Sequence, residues 1–127
     1  MGVLKKMNRN IINIKDKKTG LVLFTVTVRP LNEMVAEPIY ILEILCNTSN
    51  VLKTLDTYNK YTLIRVIDKF NTIDSERRNN IGARDKEGII EFTKNFLIEN
   101  VINELNKIND VVYLEEVLFV VDNEDEI

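Results

Sequence analysis

The chain has 127 residues, of which 45% are hydrophobic and 29% charged, and its formal net charge is −3. These values are ordinary for a soluble globular protein, so we expect one domain over residues 1–127, with flexible ends at 1–8 and 123–127. The sequence has no histidine and one cysteine. Catalytic sites of the Ser-His-Asp or Cys-His type, and zinc sites built from cysteine and histidine, are therefore excluded. No catalytic residue, metal site or cofactor site is predicted, and the protein is interpreted as a non-enzyme.

The single cysteine, Cys46, ends an apolar run. Without a histidine to activate its sulfur, it is predicted to be a small buried hydrophobe. No apolar stretch approaches the roughly 20 residues that a membrane span needs, and the N-terminal sequence lacks the apolar core of a signal peptide. One cysteine also fits a reducing compartment. We therefore expect a cytoplasmic protein, or part of a particle assembled in the cytoplasm.

The first third of the chain shows the pattern of a β-hairpin. Residues 11–14 and 21–28 are rich in β-branched side chains, and a polar loop that ends in Gly20 separates them. Two such runs around a short loop predict paired strands. In the second run apolar and polar residues alternate, which is typical of a strand with one face on a core. Pro30 cannot donate a hydrogen bond to a ladder and is predicted to end this strand.

The middle of the chain is predicted to be mainly helical. The apolar run 38–46 fits either a buried strand or a helix, and we favour a helix because Pro38 suits a first helical turn. Residues 51–58 and 62–70 repeat apolar side chains at helical spacing, although 62–70 has enough β-branched residues to form a strand instead. Residues 74–84 are polar and are predicted to be a loop.

A long amphipathic helix is predicted from about 85 to 108. Its apolar residues fall along one side, and Asp85 can cap its first turn. Phe92 and Phe96 widen the apolar arc in the first half of the helix. They indicate either that two parts of the core flank the helix or that these rings reach a partner subunit.

The last predicted element is a strand at about 111–121. Both of its faces are apolar except at Glu115 and Glu116, which is typical of a central strand covered on both sides. The two carboxylates point to opposite faces, so they form no catalytic pair; they indicate a bulge, an exposed stretch or a guard against edge pairing. The predicted fold is therefore α+β: an N-terminal hairpin, central helices, the long helix and this buried strand, packed on a small mixed sheet.

Charge is unevenly distributed, with a basic first part and an acidic last part. This indicates either two solvated ends or head-to-tail association, in which the basic end of one copy meets the acidic end of the next. Arginines in the loop 74–84 could bind an anion or simply be solvated. Nucleic-acid binding is not expected, because the basic N-terminal cluster contains no aromatic residue. The candidate interaction residues are Lys5, Lys6, Arg9, Lys17, Lys18, Arg77, Arg78, Arg84, Phe92, Phe96, Glu115, Glu116, Asp122, Glu124, Asp125 and Glu126.

The second half of the chain carries a set of residues that recur in a known family. They are Ile64-Arg65, Glu87-Gly88, Ile102-Asn103, Val111 and Phe119-Val120-Val121. Through them residues 62–122 resemble the periplasmic domain of the flagellar basal-body protein FliL, a stomatin-like α+β domain. The sequence shows no counterpart of that family's transmembrane anchor, and Glu115 and Glu116 replace an aromatic stretch. The resemblance implies an order of secondary structure rather than a flagellar function.

The function predicted from these features is non-enzymatic protein–protein interaction. The protein would be an assembly subunit that self-associates or docks into a larger complex, such as a phage particle or a flagellar or secretion-type machine. The alternative is a small acidic inhibitor or immunity protein that blocks a basic target by direct binding through its acidic C-terminal end. Expected partners are protein partners, in a homo-oligomer or a larger assembly, without a membrane span, nucleic acid or cofactor.

Overall fold

The computed structural model describes residues 6–32, 34–54 and 59–122. Its four strands are β1 (Lys6–Asp16), β2 (Val22–Pro30), β3 (Tyr40–Cys46) and β4 (Val112–Asp122). Its helices are α1 (Thr48–Thr54), α2 (Lys60–Asn71), α3 (Ile73–Asn80), α4 (Lys86–Leu97) and α5 (Asn103–Leu105), and a π-helical turn (Ile98–Ile102) joins the last two. The strands form one antiparallel sheet in the order β3-β2-β1-β4, and the predicted α+β fold is confirmed.

The core lies between one face of the sheet and the helices. The Phe24 ring from β2 and the Phe70 ring from α2 meet there with their centroids 4.9 Å apart. The residues that alternate with the core positions along the strands are polar or only half-buried, so the opposite face of the sheet is more exposed to solvent. The buried apolar residues of the sheet are Ile12, Ile14, Leu23, Phe24, Val26, Val28, Leu42 and Val112. Those of the helices are Val51, Val66, Phe70, Ile73, Ile89, Ile90, Leu97, Val101 and Leu105.

The predicted hairpin is confirmed, and a local hydrogen-bond network stabilises its turn. Asp16 is buried, and its carboxylate accepts hydrogen bonds from the Thr19 backbone N–H (2.7 Å) and the Thr19 hydroxyl (2.8 Å). Gly20 follows with φ of 76°, a left-handed conformation that residues with a Cβ rarely adopt. Both features bring the chain from β1 directly back into β2.

A bulge and a proline shape the pairing of β2 with β1. Ile14 lies opposite Phe24 but Lys15 lies opposite Val22, so Leu23 is an extra residue and both it and Phe24 are buried. β2 ends at Pro30, as predicted. β1 continues past this point, and its residues 6–9 pair with β4 alone. The predicted flexible end therefore contributes residues 6–8 to the sheet, while 1–5 and 123–127 lie outside the described residues.

Residues 38–46 were expected to be helical, and this prediction is wrong, because β3 occupies Tyr40–Cys46. β3 pairs with β2 along its whole length, from Tyr40 opposite Pro30 to Cys46 opposite Phe24. The outer edge of β2 offers this run a hydrogen-bonded ladder, and tertiary pairing of that kind overrides a weak local preference for helix. Pro38 precedes the strand instead of starting a helix.

The polar loop predicted at 74–84 is also wrong, because α3 spans Ile73–Asn80. Ile73 and Arg77, four residues apart on one helix face, are both buried. The remaining polar side chains face solvent, and acidic residues precede basic ones along the helix, which favours the helix dipole. The helix predicted at 62–70 is confirmed by α2, and that at 51–58 by α1 as far as Thr54, since 55–58 lie outside the described residues.

The long helix is confirmed from Lys86 to Leu105, ending before the predicted residue 108. The Asp85 side chain caps it by accepting a hydrogen bond from the Gly88 backbone N–H (2.9 Å). Phe92 and Phe96 are half-buried against the core, with ring centroids 5.9 Å apart. Their core contact accounts for the wide apolar arc of the first half of the helix.

The position of β4 differs from the prediction. It was expected to be a central strand covered on both faces of a mixed sheet, but the sheet is antiparallel throughout and β4 lies at its edge. Val112 is buried at the start of the strand, whereas Leu118 is 58% exposed further along. The helices cover only the first part of β4, so some of its apolar side chains are buried and others are exposed to solvent.

Candidate functional site

A cluster of exposed apolar side chains lies on β4. Val117, Leu118 and Phe119 are 38%, 58% and 49% exposed. The cluster lies where the pairing of β1 with β2 ends: Leu118 is opposite Asn10, which still pairs with Val28, and Phe119 is opposite Arg9, which pairs with β4 alone. Val117 and Phe119 lie on the open face of the sheet and Leu118 on the helix side, so β4 exposes apolar side chains on both faces here, and exposed apolar surface is a common mark of an interaction site. We call Val117, Leu118 and Phe119 the apolar patch.

The backbone of β4 also presents hydrogen-bonding groups at the free edge of the sheet. The Lys17 N–H donates to the Val111 carbonyl (2.8 Å), and these residues continue the β1–β4 register. Residues alternate in an antiparallel ladder, so odd-numbered residues of β4 direct their N–H and C=O groups at β1. Even-numbered residues direct theirs outward, away from the sheet.

Asn106 covers the beginning of this free edge. Its side-chain oxygen accepts hydrogen bonds from the backbone N–H groups of Val111 (2.9 Å) and Val112 (3.0 Å), and its amide donates to the Val112 carbonyl (2.9 Å). Within the part of the chain that the structure describes, the outward backbone groups of Leu114, Glu116 and Leu118 have no such partner. The open edge therefore begins at Leu114 and runs to the end of β4.

The two glutamates beside the apolar patch each form an ion pair within the chain. Glu115, on the open face of the sheet, accepts hydrogen bonds from Asn13 (3.2 Å) and Lys15 (3.3 Å), and both bonds lower the pKa of its carboxyl. Glu116, on the helix side, lies 3.4 Å from the Lys94 ammonium and raises the pKa of that lysine. The carboxylates point to opposite faces, as predicted.

The opposite edge of the sheet is a weaker candidate. β3 is shorter than β4, and the backbone N–H of its first residue, Tyr40, donates to the Ala83 carbonyl (2.7 Å). Glu43 lies in the middle of β3 and forms a 2.8 Å ion pair with Arg29. Short edge strands with a central charge are a common guard against pairing. β4 has no charge between Glu116 and Asp122.

The basic and acidic ends of the chain lie side by side in the sheet. Lys6 is opposite Asp122 in the β1–β4 register, and Lys17 forms an ion pair with Asp110. Lys18 is exposed in the hairpin turn. Of the charges that head-to-tail contact would need, that of Lys17 is therefore balanced inside one molecule. The predicted residues Lys5, Glu124, Asp125 and Glu126 lie outside the described residues, and for them the association stays a prediction.

The arginines that could bind an anion or simply be solvated are divided between two local contacts. Arg77 is buried and Arg78 exposed, and their guanidinium groups lie 3.3 Å and 2.6 Å from the Asp74 carboxylate. Arg84 instead donates a hydrogen bond to the Glu37 carbonyl. Two of the three arginines are therefore engaged with an acid of the chain, which does not favour an anion site.

Two grooves, of about 310 and 390 Å³, lie where α2 meets the helix that contains the π turn, and Arg65 and Glu104 line both. Glu104 forms ion pairs with Lys107 (3.0 Å) and Arg65 (3.9 Å), and Lys107 lowers the pKa of its carboxyl. Its charge is thus balanced locally. Among the described residues no group of His, Cys, Asp or Glu could hold a metal ion, and no helix combines the length and apolar character needed to cross a membrane.

Cys46, at the end of β3, is half-buried beside the core. Burial raises the pKa of its thiol, which disfavours the reactive thiolate. Its environment is that of a small hydrophobe rather than of a nucleophile.

None of the protein-family models, curated proteins or solved structures compared with the chain matches it. The resemblance to the FliL domain therefore stays a prediction. The open edge was missed in the sequence because apolar residues on both faces of 117–121 fit a covered strand as well as an exposed one. Asn106 was missed because its contact with β4 depends on the turn that follows α5.

Proposed function

We propose that the protein is a non-enzymatic binding subunit that takes up a strand from a protein partner at the open edge of β4. The observation that carries the proposal is the combination of outward backbone groups at Leu114, Glu116 and Leu118 with the exposed apolar patch. In strand addition, main-chain hydrogen bonds supply affinity and alternating side chains supply specificity. The edge of β4 offers both kinds of contact.

The pattern of protection along β4 supports this proposal. Natural sheets cover or charge their free edges, because an uncovered edge pairs with other chains. Here Asn106 covers the edge at Val112, and the edge is open from Leu114 through the apolar patch. Because Asn106 already covers one end of the edge, we interpret the uncovered remainder as a binding surface.

The alternative of a small acidic inhibitor has less support from the described residues. Glu115 and Glu116 are paired with Lys15 and Lys94, so this part of the C-terminal end presents little free negative charge to a basic target. The alternative now depends on residues 123–127, which lie outside the described residues, and it stays a prediction. Binding that disappears when only those residues are removed would support it over strand addition.

A titration followed by nuclear magnetic resonance tests the proposal. The probe is a synthetic strand peptide that alternates Val and Thr between terminal lysines, added to isotope-labelled protein. We expect the amide signals of Leu114, Glu116 and Leu118 to shift and to become protected from hydrogen exchange. Shifts confined to the grooves around Glu104, or no shifts at all under conditions in which the protein is monomeric, would contradict strand addition at β4.

Two variants of Leu118 provide the matched control. Leu118→Pro removes an outward N–H group and leaves the bonds between β1 and β4 in place, because the Leu118 N–H does not point at β1. Leu118→Thr keeps the N–H group and shortens the side chain. We expect the proline variant to lose peptide binding and the threonine variant to retain part of it, with both variants folded by circular dichroism.

A further inference from the structure

We infer that the strand added to β4 is the β4 strand of a second copy of this chain, paired antiparallel with Leu118 on the two-fold axis. The inference rests on the proposed function and names its partner. The two sheets would join into one, with both helical layers on the same side, since a two-fold axis perpendicular to the sheet relates the copies. The interface would be isologous, each copy contributing the same residues.

The length of the open edge points to this axis. Asn106 occupies the outward groups of Val112, so among the described residues the groups available for pairing run from Leu114 to Asp122. Leu118 lies midway between these two residues. An axis at Leu118 therefore places Leu114 of one copy opposite Asp122 of the other and uses all of the open edge that the structure describes.

The charges on β4 favour the same register. With the axis at Leu118, Glu116 faces Val120 of the second copy, and no acid faces another acid. Moving the axis by one residue to Phe119 places Glu116 opposite Asp122, and like charges directly opposite in a ladder are destabilising. Moving it to Val117 keeps the acids apart but places Phe119 opposite Glu115, so the aromatic ring loses an apolar neighbour.

The apolar patch is self-complementary in this register. Leu118 packs against its symmetry mate on the helix side of the sheet, and Val117 faces Phe119 of the other copy on the open side. All three side chains, now 38–58% exposed, would lose solvent contact. Because the contact is confined to one strand from each copy, it falls at the small end of protein interfaces, and we expect a dissociation constant on the order of micromolar.

Single-cysteine cross-linking tests the axis. In a Cys46→Ser background, Leu118→Cys places two sulfurs across the axis, with Cα atoms about 5.5 Å apart, a distance that a disulfide can bridge. Glu116→Cys is the matched control on the same edge and the same face, but its symmetry mates lie roughly 13 Å apart along the strands. We expect mild oxidation to produce a covalent dimer from the first variant and not from the second. Equal cross-linking of both variants, or of neither, would overturn the inference.

A charge-swap experiment by sedimentation equilibrium tests it independently. Leu118→Lys and Leu118→Glu each place like charges on the axis, and we expect each alone to raise the dissociation constant of the dimer on the order of 100-fold. Mixed together, they should restore a dimer, because opposite charges then meet. Leu52→Lys, at an exposed leucine of α1, should leave the wild-type equilibrium unchanged. Failure of the mixture to dimerise would overturn the inference even if the single variants are monomeric.

The outcomes separate this inference from the proposed function. A wild-type protein that stays monomeric at high concentration, yet binds the synthetic strand peptide at β4, overturns the second copy as partner and leaves strand addition standing. A monomer that also ignores the peptide overturns both. A dimer that persists in Leu118→Lys and does not cross-link through Leu118→Cys has its interface elsewhere and overturns the inference.

Discussion

Asn106 connects the end of the helical layer to the edge strand, and its removal is the sharpest test of how that edge is organised. Its side chain bonds three backbone groups, the N–H groups of Val111 and Val112 and the Val112 carbonyl, at 2.9–3.0 Å. Asn106→Ala deletes all of these contacts without removing apolar core volume. We therefore expect a loss of stability with little change in fold.

The magnitude follows from the number of bonds and the burial of their partners. Each hydrogen bond contributes about 0.5–1.5 kcal/mol net, so three contribute about 3 kcal/mol. Val112 is only 1% exposed, which limits the access of replacement water to its backbone groups. The better helix propensity of alanine returns a few tenths of a kcal/mol at the helix end. We expect a net loss of about 2–3 kcal/mol, or a melting temperature lower by roughly 10 °C.

Urea denaturation followed by circular dichroism measures this loss. The matched control is Asn103→Ala, an asparagine of α5 whose side chain is exposed, and its variant should stay within about 0.5 kcal/mol of wild type. Asn106→Asp should fall between the two, because it keeps the oxygen acceptor but cannot donate to Val112 and brings a carboxylate toward Asp110. An Asn106→Ala variant no less stable than Asn103→Ala would refute the account of Asn106 as the cover of the edge.

Three further predictions concern single sites. Gly88→Ala should give little net stabilisation, because the new Cβ would lie 2.3 Å from an Asp85 carboxylate oxygen and displace this capping side chain. In an Asp85→Ala background, which has no cap to displace, the same change should stabilise the protein by about 0.5–1 kcal/mol in urea denaturation. The pKa of the Glu115 carboxyl is lowered in the folded protein, so its contribution to stability is complete above the ordinary pKa of 4.5 and is lost as pH falls through the lower pKa of the folded state. The difference in urea midpoint between wild type and Glu115→Gln should therefore vanish in acid. Cys46 should react with iodoacetamide more slowly than a free thiol near neutral pH and regain the ordinary rate in urea; an ordinary rate in the folded protein would contradict its burial.

Local patterns in the sequence predict those strands and helices in which one face is apolar and the other polar. The alternation in β2 and the stripes of α2 and α4 depend on one buried and one wet face, and these elements are confirmed. β3 and α3 were missed for opposite reasons. β3 is a strand because β2 offers it an edge, which local propensity does not encode. α3 is almost wholly polar, and only Ile73 and Arg77 bind it to the core.

The candidate site was only partly visible for a related reason. The apolar residues at 117–121 and the paired acids before them were recognised in the sequence, but a strand with two apolar faces is equally compatible with the centre and the edge of a sheet. The order β3-β2-β1-β4 decides between these, and it depends on β1 being long enough to pair with β2 and β4 at once. That length was hidden because residues 6–10, apart from Met7, have polar side chains.

Glu115 and Glu116 therefore act differently from charges that prevent pairing at the edge of a sheet. A guard acts through free charge, but Lys15 and Lys94 form ion pairs with these carboxylates, which lowers the charge that the edge presents without removing either anion. Pairing at the edge is therefore not blocked, and the acids instead select among registers, because like charges directly opposite each other are unfavourable. If the partner is a second copy, Glu116→Gln removes that selection, and the strands can slide to the register centred on Phe119. Cross-linking through Leu118→Cys should then lose its advantage over neighbouring positions while the dimer itself persists.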